Sequence, residues 1–123
     1  MFSKEIAPAM CLPIGVGRMD DIWMSYMAER IMREFDKAVY FTGATVTQDR
    51  NPHDLSKDLE QETIGYKHTL SFINFLNSLE LVKTTVLDMY GQIVNQLHTL
   101  EFYPKESISF QKAWINDLKK LEG

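Results

Sequence analysis

The stretch Gly15-Val16-Gly17-Arg18-Met19-Asp20-Asp21-Ile22-Trp23 gathers more chemically useful groups than any other part of the chain. Two glycines let the backbone turn sharply or approach a ligand closely. A guanidinium and two adjacent carboxylates follow, where a helical pattern begins. Adjacent carboxylates at a helix start could hold a divalent ion or accept hydrogen bonds from hydroxyls, and Arg18 could pair with a phosphate. The competing reading is structural: Asp20 and Asp21 serve only to cap a helix, and Arg18 is solvated. A helix N-terminus favours the charged form of a carboxylate and so weakens it as a base. Asp20 and Asp21, the candidate catalytic pair, are therefore better suited to orienting a hydroxyl or a cation than to abstracting a proton. Gly17, Arg18 and Trp23 are the candidate substrate-binding residues beside them.

Other groups make weaker cases. His53, His68 and His98 are spaced by 15 and 30 residues, which matches no local metal-binding pattern. Cys11 is a lone cysteine with no Cys-His signature around it, so it reads as a buried thiol and excludes an internal disulfide. Gly15 and Gly17 lack the third glycine and the preceding strand of a dinucleotide-binding loop. The methionines, with Phe72, Phe75 and Phe110, read as core packing, although an over-apolar helix surface could mark a dimer seam.

The elements that must position these residues follow from punctuation and periodicity. Residues 1–19, with Pro8, Pro13, Gly15 and Gly17, predict an irregular or extended arm. Ile22, Trp23, Tyr26, Met27, Ile31 and Phe35 form a helical stripe over 20–37, with Asp20 as N-cap and Arg30, Arg33, Glu34 and Asp36 on the other face. Residues 38–48 are β-branched and aromatic, split by Gly43, and predict one or two short strands that need something to lean on. Asn51 as N-cap and Pro52 at the first helical position open a second helix, with Asp54 in its first turn. Its stripe is Leu55, Leu59, Ile64, Leu70, Ile73, Leu76 and Leu79, with a kink near Gly65. A third helix is expected over 82–99 and a fourth over 106–121. The fold class is mainly α, about four helices with a small β element, in a single domain of 123 residues.

Composition bounds the rest. At 45% hydrophobic and 24% charged, the chain has the balance of a soluble globular protein. Its net charge is −4 and no Lys/Arg run exceeds two residues, which argues against non-specific nucleic-acid binding. No apolar stretch approaches the roughly 20 residues of a membrane span. The opening residues, with a Lys-Glu pair and an early proline, do not read as a signal peptide, which points to the cytoplasm.

Pro8-Ala9-Met10 followed by Gly17-Arg18-Met19-Asp20-Asp21-Ile22-Trp23 resembles the C-terminal part of the reversibly glycosylated polypeptides, the plant UDP-arabinopyranose mutases. The likeness covers about residues 8–60. It implies part of a GT-A type glycosyltransferase-like fold acting on nucleotide sugars with a divalent metal, and places Arg18, Asp20, Asp21 and Trp23 beside the sugar or acceptor pocket. The family's Asp-x-Asp metal motif has no counterpart in the sequence, and Val46, Thr47 and Gln48 stand where the family offers a histidine. The resemblance thus implies a domain that is not a complete enzyme alone: a split subunit whose partner chain supplies the nucleotide-binding half, a truncated gene product, or a relict with another use. The alternative is a non-catalytic helical interaction module that self-associates as a homo-oligomer.

Overall fold

The computed structural model describes residues 4–44, 46–47 and 54–122. Among them are four α-helices: α1 (Asp20–Glu34), α2 (Leu55–Ser78), α3 (Val86–Gln96) and α4 (Lys105–Glu122). Short 3₁₀ segments occupy Lys4–Ala9, Gly17–Met19 and Leu97–Thr99. No strand is found among the described residues, so the β element expected over 38–48 is unconfirmed, residues 45 and 48 lying outside the described ones. Short strands need a neighbouring ladder, and this helical surround offers none; Tyr40, Phe41 and Val46 are left strongly exposed.

Helix α3 is the central element, packed by α1 on one side and α4 on another. It buries Leu87, Met89, Tyr90, Ile93 and Val94. Its start is capped by Thr85, whose hydroxyl accepts from Asp88 N at 3.2 Å. The helix begins four residues later than its periodicity suggests. Val82 instead clasps the Gln92 side chain through both its backbone N–H and C=O.

The arm before α1 is not extended. Ile6, Ala9, Cys11 and Val16 are buried in the common core, and Trp114 Nε1 on α4 donates to the Pro8 carbonyl at 2.9 Å. Helix α1 buries Trp23, Met27, Ala28, Arg30 and Ile31. It ends in a Schellman-type turn: Lys37 N donates to Met32 O and Asp36 N to Arg33 O, with Asp36 left-handed at φ 54°.

Helix α2 runs unbroken through Gly65. Its N-cap is Asp54, whose carboxylate accepts from Ser56 N at 3.0 Å and Lys57 N at 3.3 Å. Asp54 therefore precedes the helix rather than lying in its first turn. The expected roles of Asn51 and Pro52, and His53 with them, lie outside the described residues. Among the described residues, no helix is long and apolar enough to cross a membrane.

Candidate functional site

The 3₁₀ turn Gly17–Met19 leads directly into α1 and lies on the first half of α2. Gly17 is what permits this approach. Its φ is +61°, and a Cβ there would stand 2.2 Å from the Gln61 carbonyl oxygen. Gly65, one turn further along α2, receives Met19: a Cβ there would lie 2.4 Å from the Met19 sulfur. The glycine expected to approach a ligand thus approaches a helix.

The turn sets Arg18 against two acids of α2. Its guanidinium donates to Asp58 Oδ1 at 2.7 Å and lies 3.5 Å from Glu62 Oε1. Glu62 also accepts from the Tyr66 hydroxyl at 3.2 Å. That bond, and the carboxylate charge behind it, push the Tyr66 phenol above its ordinary range. Arg18 is therefore already compensated by two carboxylates, which removes much of its value to a phosphate.

Asp20 is not an N-cap. It is the first residue of α1, Met19 holds the cap position without a side-chain bond, and Asp20 Oδ1 accepts from Asp21 N at 2.7 Å. Asp21 is exposed, and its carbonyl accepts from Ser25 Oγ at 2.7 Å. Both carboxylates border a wide, open hollow of about 510 Å³, lined by Gly17, Arg18, Asp20, Asp21 and Gln61.

Trp23 lies elsewhere. Its ring is fully buried, stacked on Phe72 at 4.7 Å between centroids and edge-on to Phe102 at 5.8 Å. Its indole N–H donates to Thr69 Oγ1 at 3.1 Å. It anchors α1 to α2 and has no surface to offer a ligand. The physical reason is helix geometry: Trp23 is two residues on from the exposed Asp21, about 200° round the helix, on the inward stripe with Met27 and Ile31.

The turn and α1 thus bring Gly17, Arg18, Asp20 and Asp21 together, and α2 adds three residues that no local sequence pattern marks as belonging with them: Asp58, Gln61 and Glu62. Their spacing places them on one helix face. An acidic pair one turn apart was the available signal, but nothing local tied it to a segment some forty positions earlier.

Acids outnumber the lone arginine around this hollow, so its field favours hydroxyl donors over anions. Among the described residues no group of three or more His, Cys, Asp or Glu side chains could hold a metal ion, and we assign none to the site. The remaining candidates are structural. Burial pushes the Cys11 thiol up, away from nucleophilic use. His68 stacks on Phe102 at 4.4 Å, and His98 Nδ1 lies 2.8 Å from its neighbour Asn95 O. A larger hollow of about 730 Å³, between the first 3₁₀ segment, α1 and residues 36–40, has mainly apolar walls.

The family model of the STELLO glycosyltransferases matches residues 18–123, beginning at Arg18 and so taking in both aspartates. No curated protein and no solved structure gives a significant match.

Proposed function

The chain belongs to the STELLO glycosyltransferase family, and from that footing we propose that the hollow beside Asp20 and Asp21 holds the hydroxyls of a sugar or sugar acceptor in a nucleotide-sugar reaction. One observation carries the reading: Asp20, Asp21, Arg18 and Gln61 line a single shallow, open hollow at a helix start. Such a set of acceptors and donors suits a polyhydroxylated, uncharged ligand. Asp21 is the exposed acceptor. Asp20, already engaged with the Asp21 amide, orients its neighbour.

The role is binding and orientation. Arg18 is neutralised by α2 acids, so the nucleotide diphosphate is held by another domain or a partner chain. The likeness to UDP-arabinopyranose mutases supports a nucleotide sugar as the donor. It also fits a chain that does not complete the reaction alone.

The test is a thermal-shift and saturation-transfer NMR titration with UDP-sugars and with neutral oligosaccharides, each with and without Mg²⁺ or Mn²⁺. Neutral sugars should contact the wild-type protein, and Asp20→Asn/Asp21→Asn should lose that contact while staying folded, its unliganded stability lowered only by the lost helix-dipole charges, about 0.3–1 kcal/mol each. A ligand present at about 100 times its Kd should add about 2.7 kcal/mol of stability. Absence of any sugar signal, or a signal that survives the double substitution, refutes the assignment. The reading as an interaction module is favoured by a different observation, the apolar outer face of α2.

A further inference from the structure

Helix α2 carries two apolar faces. Gly65, Phe72 and Leu76 are buried against the rest of the chain. Leu55, Leu59, Tyr66, Leu70 and Ile73 form the second, because spacings of four, seven, four and three keep them within roughly 60° of one another at 100° per residue. Leu55, Leu59, Tyr66 and Leu70 are 80, 58, 73 and 72% exposed, and Ile73 is half-buried. The stripe runs about 27 Å along the helix. An apolar patch of this extent marks an interaction surface. A lipid surface is a poor occupant, since an interfacial helix needs a basic rim and the chain is acidic, with net charge −4.

We propose that this face is the contact between two copies of the chain, with α2 lying antiparallel on α2 of the second copy and Leu59 of each against Leu70 of the other. The charges beside the stripe support that occupant. Glu60 and Lys67 are both exposed and lie on the same edge of the stripe, and antiparallel pairing of identical helices joins like edges. With Leu59 on Leu70, Glu60 of one copy falls within about 3 Å, along the axis, of Lys67 of the other. The two-fold symmetry repeats the match, so one pairing buries both stripes and aligns two opposite-charge pairs. Stable interfaces cover about 800 Å² per partner; a single helix pair lies near the lower limit, so the dimer dissociates on dilution. This proposal does not depend on the sugar reading, although its stripe adjoins that site at Glu62, which accepts from the Tyr66 hydroxyl.

Sedimentation velocity of the full chain over about a hundredfold range of concentration tests it. The wild type should pass from monomer to dimer. L59K/L70K should remain monomeric throughout with an unchanged helical circular-dichroism spectrum. E60K alone and K67E alone should each weaken the dimer several-fold, and the combined E60K/K67E should return to within about twofold of wild type. These two substitutions lie on the exposed surface and keep the test open even if the leucine variant folds poorly. A wild type that stays monomeric at every concentration overturns the proposal, as does a dimer indifferent to L59K/L70K. Two charge reversals whose effects merely add would also overturn it.

Discussion

Two glycines on either side of one contact show how much a single residue can decide. A side chain at Gly17 would meet backbone, the Gln61 carbonyl at 2.2 Å, from a left-handed conformation. One at Gly65 would meet the flexible end of Met19 at 2.4 Å. Backbone cannot step aside, whereas a methionine can change rotamer. Gly17→Ala should therefore cost more than the 1–2 kcal/mol or so of left-handed strain alone, and it should disturb the hollow. Gly65→Ala should cost about 1 kcal/mol, because helix propensity returns part of the loss. Urea denaturation of both variants checks the order, and equal costs would mean that the turn is not pressed on α2. The sequence revealed that these residues were unusual, because Gly-x-Gly before an acidic helix start stands out locally. It could not reveal that Gly17 and Trp23 face protein, since the partner of each lies more than forty positions away.

At the scale of the elements, α1 and α2 are joined by a cation that periodicity places in solvent. Arg30 is 8% exposed. Its Nε donates to Leu76 O at 2.9 Å, and its terminal nitrogens donate to Leu79 O and Glu34 Oε1, both at 2.6 Å. It closes the C-terminal end of α2, where carbonyls lack helical partners and a cation is favoured. Arg30→Met would leave buried acceptors unpaired at about 1–3 kcal/mol each, so a loss of about 3 kcal/mol is expected. Arg30→Lys should recover only part of it, because an ammonium cannot fork to both carbonyls. A loss below about 1 kcal/mol for the methionine variant, measured by urea denaturation, would show that water satisfies those carbonyls. Helix existence was legible because apolar stripes and acidic starts are local signals, and all four helices lie within a few residues of their expected places. Which face of α2 turns inward was not legible. Leu55, Leu59 and Leu70 share helical spacing with Leu76, and only the packing of α1 separates the covered side from the open one.

Across the whole molecule a buried polar chain ties the arm to the last helix. Gln111 Nε2 donates to the Tyr90 hydroxyl at 2.9 Å and its Oε1 accepts from Tyr103 at 2.8 Å. Ser107 Oγ lies 3.2 Å from the same amide oxygen and accepts from Ile14 N at 3.0 Å. No side-chain N or O among the described buried residues lacks a partner, so the chain fixes a unique arrangement without an unpaired group. It also sets an alkaline limit. Burial pushes the Tyr103 phenol up to about 12 and raises that of Tyr90 as well, while an unfolded tyrosine titrates near 10. Below about pH 10 both states hold these protons and the stabilisation is complete. Between about 10 and 12 the unfolded chain releases protons that the folded one keeps, so stability falls as pH rises, by about 1.4 kcal/mol per pH unit for each phenol held. The buried Cys11 thiol acts in the same sense, from the lower pH at which a free thiol ionises. Urea midpoints should therefore be level near neutrality and fall steeply past about pH 10, with tyrosinate absorbance from the buried pair appearing only as the protein unfolds. Tyr103→Phe should be less stable at neutral pH, having lost its bond to Gln111, yet show a shallower decline above pH 10 because one held proton is gone. Tyrosinate signal from the buried pair ahead of unfolding, or an unchanged slope in the variant, would place these phenols in contact with water and break the link between arm and helix.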